Sequence, residues 1–183
     1  MTKGRNAGWL ALLAAVILSL PVTAEAGPKL LIFPIEMSIP RTEMDFFQPV
    51  VGPSPEEQER LKKADAELAK LIEADGRYDL VDTAPLSADI EAAQPISECN
   101  GCEVDIGTKA GADFLMVSVL NKISETHLSL TVSLVDVAKS GVVSNSSVLI
   151  QGNTDESWQH GVRWLARNRL LVSEGNVSEG KPQ

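Results

Sequence analysis

"HLSLTVSLVD", residues 127–136, alternates without a break. Leu128, Leu130, Val132 and Leu134 fall on one side, and Ser129, Thr131 and Ser133 on the other. A period of two with one apolar side specifies a half-buried antiparallel strand, because successive side chains leave a strand on opposite faces. Lys139-Ser-Gly141 then turns the chain into "VVSNSSVLI" (Val142–Ile150), which predicts a second strand folded back on the first. Just upstream, "ADFLMVSVL" (Ala112–Leu120) is a continuous apolar run, the pattern of a buried strand.

Further out the period changes. Ser54 is placed to cap a helix, Pro55 suits its first turn, and Glu57 completes a capping box three residues on. Leu61, Ala64, Leu68, Leu71 and Ile72 follow at helical spacing, and Gly76 supplies the stop. "RYDLVD" (Arg77–Asp82) predicts a short strand, Ser87–Ala93 a weaker helix, and Cys102–Ala110 a helix ended by Gly111. A last helix is expected from Asn153, capped by that residue with Glu156 in the reciprocal position. Trp158, Val162 and Leu165 form its apolar stripe, and Arg163, Arg167 and Arg169 complement its C-terminal dipole. At the other end, "KLLIFPIE" (Lys29–Glu36) predicts a strand buried on both faces that ends or bulges at Pro34, which has no donor to give a ladder. The order β-α-β-α-β-β-β-α predicts a single α/β (α+β) domain over residues 27–172, a mixed sheet of about five strands with helices packed on it.

Residues 1–26 are expected to be removed as a signal peptide. Lys3 and Arg5 precede an apolar stretch from Trp9 to Leu20, Pro21 breaks it, and Ala24-Glu-Ala26 is a small-x-small cleavage pattern. That stretch is too short to span a bilayer comfortably, and no second span follows. The expected product is soluble and periplasmic. The chain of 183 residues carries a formal charge of −9, and removing the leader leaves it more acidic still. An acidic chain is repelled by nucleic acid and by anionic membrane surfaces, so neither is an expected partner. From Ser173 to Gln183 the sequence is polar and predicts a disordered tail.

Cys99 and Cys102 are the only cysteines. Glu103 follows the second, so the histidine that haem attachment needs is absent. A zinc site lacks its other ligands, since His127 and His160 stand in no motif spacing. A redox dithiol is the alternative, because Cys102 opens a helix whose dipole favours a thiolate. Thioredoxin-like enzymes, however, need a proline after the pair, and here Pro85 and Pro95 precede it and only Pro182 follows. An exported chain with an even cysteine count normally oxidises them, so the expectation is a structural disulfide pinning Pro95–Gly101 to the next helix. Closing so short a loop stabilises by ~2 kcal/mol.

Between Met37 and Pro53 the sequence has no period, and it is expected to be one long loop. Met37, Ile39, Met44, Phe46, Phe47, Val50 and Val51 are many apolar groups for such a stretch. Either the loop folds back over them, or they form a partner surface pre-stiffened by prolines. No phosphate loop, nucleophile elbow or Ser/His/Asp order is present, and Asp79, Asp82 and Asp89 lack the spacing of a calcium loop. No cofactor, no metal and no catalytic residue is expected.

Together, "LLIFPIE", "RYDLVD", "GADFLMVSVL" and "LSLTVSLVDVAKSGVV" resemble the α/β domain of the curli secretion channel subunit family and the N-terminal domain of the Tol-associated propeller protein, over about Lys29 to Leu171. The lipidated cysteine and pore segments of the one, and the propeller of the other, are not found here, so the resemblance implies a fold and not an activity. The order C-x-x-C, "GAD" and "GNTDESW" (Gly152–Trp158) is more similar to a family of exported bacterial proteins with a domain of unknown function. The resulting expectation is a periplasmic, non-enzymatic binding or assembly accessory protein, docking an envelope protein through the 37–53 loop or a sheet edge. The alternative is a thiol–disulfide oxidoreductase or redox sensor using Cys99 and Cys102.

Overall fold

In the computed structural model, which describes residues 27–40 and 52–171, the predicted hairpin is the middle of a mixed sheet. Strand β5 (His127–Asp136) lies antiparallel between β4 (Phe114–Ser124) and β6 (Gly141–Gln151), with Leu130 opposite Leu120 on one side and Val148 on the other. The alternation of β5 does what its period requires. Leu128, Leu130 and Val132 are buried with Ala64, Leu68 and Ile72 of helix α1 (Pro55–Asp75) and Trp158, Val162 and Leu165 of helix α4 (Asp155–Leu165).

Strand β1 (Lys29–Ile32) runs parallel to β4 on that strand's other side and parallel to β3 (Asp79–Leu80) beyond it. Its apolar run is spent on two cores. Leu30 joins the α1/α4 core; Leu31 and Phe33 join a second one, with Ile90 of α2 (Ser87–Ala93), Ile106 of α3 (Cys102–Ala110) and Leu115 of β4. At Gly107 a Cβ would lie 2.4 Å from Leu115 Cδ2, so α3 seats close against the sheet and a side chain there would displace Leu115.

The fold class is as the sequence predicts, a mixed α/β domain, and the first strand ends at Pro34 as expected: the Phe33 N–H donates to Met116 O at 3.0 Å, and pairing with β4 resumes further along as β2 (Glu36–Ser38), the sixth strand of the sheet. Three details differ. The loop expected from Met37 accordingly starts after Ser38. The strand expected over Arg77–Asp82 is only Asp79–Leu80: the Val81 N–H still donates to Leu30 O of β1, and Asp82 then accepts from the Ala84 N–H to start a turn. Finally, α4 is capped by Thr154 with Ser157, not by Asn153 with Glu156, because the Asn153 amide is engaged elsewhere. Residues 1–26 and 173–183, with the expected leader and tail, lie outside the described residues.

Candidate docking site at the sheet edge

Three features compete for function: the cysteine pair, the 37–53 segment, and the region where "GNTDESW" meets the last strand. Cys99 and Cys102 are joined as a disulfide with their Cα atoms 5.6 Å apart, between a 3-10 turn (Ile96–Glu98) and the start of α3. Asn100 and Gly101 both take positive φ to make the turn, and Glu103 Oε2 accepts from the Gly101 N–H at 3.0 Å. With each sulfur bonded to the other, neither is a thiolate ligand. The bridge does join the segment after Pro95 to α3, the placement that a staple requires.

Of the loop candidates, Met37 is in β2 and half-buried against the α1/α4 core, so its apolar surface is partly spent inside the fold. Ile39 is half-buried and lines a crevice with Ser54, Lys122 and Ile123. Met44, Phe46, Phe47, Val50 and Val51 lie outside the described residues.

The "GNTDESW" segment is a polar knot that sequence spacing does not reveal. Asn153 Oδ1 accepts from Trp158 Nε1 at 3.0 Å and from Arg60 Nη1 at 3.2 Å, while its Nδ2 donates to Glu57 Oε1 at 2.9 Å. Glu57 also accepts from the Ser54 N–H at 2.9 Å and pairs with Lys122 Nζ at 3.0 Å. Burial pushes the Glu57 carboxyl up, but the Ser54 N–H, Asn153 and Lys122 outweigh it and hold the pKa down at about 2. Asp155 reaches back to Arg60 at 3.1 Å and also pairs with Lys63. The knot ties the start of α1, the end of β4 and the β6–α4 turn together, and so fixes how α4 crosses β6. At the crossing a Cβ on Gly161 would meet Ile150 Cγ1 at 2.5 Å.

That crossing leaves part of α4 overhanging the outer edge of β6. A groove results, floored by Val148–Gln151 and walled by His160, Arg163 and Trp164, with the Arg169 guanidinium 5.9 Å from the Trp164 ring. Among the described residues β6 has no neighbour on its outer side. Its eleven residues, "GVVSNSSVLIQ", include no charge and no proline, and Val142 (62%), Val143 (48%) and Leu149 (69%) are exposed. Natural edge strands are normally protected by charges, prolines or short length, because their free N–H and C=O groups template another strand. This one has a single irregularity, a register shift opposite Leu134 and Val135. What it offers chemically is backbone hydrogen bonding flanked by apolar side chains.

No helix among the described residues is long and apolar enough to cross a membrane. Among solved structures, the lipoprotein GNA1162 of Neisseria meningitidis is similar at 15% identity and a TM-score of 0.50, over 80% of this chain and 99% of that one. The PelC dodecamer of Paraburkholderia phytofirmans is similar at 14% identity and a TM-score of 0.48, over 78% and 87%. TolB of Acinetobacter baumannii matches at 12% identity and a TM-score of 0.43, over 79% of this chain but 29% of that one. At these identities the likeness to GNA1162 speaks for the fold alone. No curated protein matches the chain. Residues 42–170 match the family model DUF3280, described as a protein of unknown function (DUF2380), and the chain belongs to that family.

Proposed function

We propose that the chain is an exported, non-enzymatic accessory protein of the bacterial envelope, working in the periplasm, that docks a protein partner by strand addition to β6. The observation that carries the reading is the long, uncharged, proline-free edge beside the α4 groove. Export rests on the leader pattern of residues 1–26 and agrees with the oxidised cysteine pair. The apolar residues Met44, Phe46, Phe47, Val50 and Val51 join the reading as a second contact on sequence grounds alone.

A photo-reactive amino acid in place of Leu149 is expected to form a protein adduct in intact cells, and one in place of Lys62, exposed on α1, is not. An edge that yields no adduct overturns the docking role.

On the same reading Cys99–Cys102 is a staple. Its reduction potential is expected below about −300 mV, the range of inert structural bridges, with no free thiol as isolated. C99S together with C102S is expected to lose ~2 kcal/mol of stability and to keep the Leu149 adduct. A potential nearer −120 to −200 mV, the range of oxidants and isomerases, would instead make the pair the active site.

A further inference from the structure

We infer that the strand added to β6 is β6 of a second copy of this chain, paired antiparallel about a two-fold axis through Ser146. The inference rests on the docking role proposed for this edge and names its partner.

Charge is the first argument. The chain carries −9 overall and 22% of its residues are charged. Two copies therefore repel, and any charged residue near the centre of a symmetric strand pair would meet a like charge. β6 is the one long strand edge left open among the described residues, and it has no charge along its whole length. A partner chosen by electrostatic attraction to this acidic chain would be met by acidic groups on the strand. An identical partner is best met by none.

Register is the second argument, and it is specific. Antiparallel pairing of a strand with its own copy, about an axis perpendicular to the sheet, places residues that face the same side opposite each other. With the axis at Ser146, Val143 lies opposite Leu149 of the second copy, Ser144 opposite Val148, Asn145 opposite Ser147, and Ser146 opposite itself. Val143 and Leu149 meet each other twice, once at each end, and the polar centre meets a polar centre. An axis one residue away, at Asn145 or Ser147, sets Leu149 against Gly141 or Asn145 instead and leaves the apolar groups unmatched. Val135 pairs with Val142 and Leu134 with Ser144, so Val143 is the extra residue of a bulge; straight pairing runs from Ser144 to Val148, and the Val143–Leu149 contacts close it at the bulged ends.

Space is the third. α4 overhangs the face carrying Val148 and Ile150, with His160 and Trp164 lining the groove. Opposite Val148, beneath the overhang, the second copy places Ser144, with Ser146 beside it on the axis, and its own Val148 falls at the far end of the pair. The larger Val143 and Leu149 project to the opposite face, which α4 does not cover. Such a contact makes the sheets of two copies continuous and closes both edges.

The test uses the full-length protein as exported and purified. Sedimentation across a concentration series is expected to give a reversible dimer. S146C is expected to be captured as a dimer by a short bis-maleimide, because residues on the axis place their Cβ atoms about 4.5–5.5 Å apart, whereas K62C is not. V143K together with L149K puts lysine opposite lysine at both ends and is expected to weaken self-association on the order of 100-fold. Both side chains are exposed, so the circular dichroism spectrum is expected to stay unchanged. A wild-type protein that stays monomeric while S146C is not captured overturns the second-copy inference. The mass of the Leu149 photo-adduct separates this failure from that of the docking role: a doubled chain supports both, a different protein alone overturns only the second copy, and no adduct overturns both.

Discussion

E57A is expected to lower the unfolding free energy by about 3–5 kcal/mol at neutral pH, the range for removing one partner of a buried ion pair. Glu57 is 4% exposed, and the Lys122 side chain that faces it is only 14% exposed. Without the carboxylate, Lys122 keeps only the exposed Glu125 at 2.8 Å, the Ser54 N–H loses its capping acceptor, and the Asn153 amide loses one of the bonds that hold the α4 turn to α1. E57Q keeps the shape and an acceptor but not the charge, and is expected to recover part of the loss. The pH dependence gives an independent reading of the same group. A carboxyl held at about 2 when folded and 4.5 when free binds fewer protons folded than unfolded between those values, so its contribution is complete above 4.5 and is lost as pH falls toward 2. That contribution amounts to ~3 kcal/mol. Urea titrations at pH 3, 5 and 7 are expected to show a steep acid loss in the wild type and a shallower one in E57A. An equal acid slope in both proteins would remove Glu57 from the knot.

Glu57 also marks the limit of what the sequence discloses. Its local role, closing a capping box on Ser54, is written in a spacing of three residues, and α1 starts where that spacing says. Gly76 and Gly111 likewise end their helices at φ 74° and 66°, as isolated glycines after periodic runs predict. Its tertiary role is invisible, because Asn153 and Lys122 reach it from 96 and 65 positions away in the chain. The same distance hides the true cap of α4. Asn153 and Thr154 are both good capping residues, and only the demand of Glu57, Arg60 and Trp158 for the Asn153 amide leaves the task to Thr154. The open edge is hidden for a different reason. The alternation in residues 127–136 identifies a half-buried strand, but spatial order is not sequence order. β6 is left outermost because β1 and β2 pair with β4 on its far side, which no local pattern encodes. The apolar content of the 37–53 segment has more than one use: Met37 is a strand residue packed against the core, and Ile39 is half-buried in a crevice beside Lys122.

D65N is expected to stabilise the protein at pH 8 by up to about 4 kcal/mol and to leave it unchanged near pH 3. The reason begins at Pro34. Where β1 breaks, the Ile35 N–H is not taken up by a neighbouring strand, and Asp65 of α1 accepts it at 2.7 Å. Burial of the side chain pushes the Asp65 pKa from 3.8 up to about 7, and the bond from Ile35 offsets only part of that cost. Between these values the folded chain holds a proton that the unfolded chain has released, so stability falls as pH rises from about 4 through about 7. Asparagine keeps an acceptor for Ile35 without a charge to bury, which removes the loss. D65A removes the acceptor as well and is expected to cost about 1–3 kcal/mol at low pH, where the wild type is neutral and hydrogen-bonded. Melting temperatures from pH 3 to 8 test this directly: the wild-type and D65N curves are expected to coincide below about 4 and to diverge steadily up to about 7. Parallel curves across the whole range would show that Asp65 ionises without resistance. Glu57 weakens the fold as pH falls below 4.5, and Asp65 weakens it as pH rises above about 4, so these two carboxyls together favour a narrow mildly acidic optimum. Neutralising Asp65 alone is expected to move that optimum upward, because the acid limb set by Glu57 stays where it was.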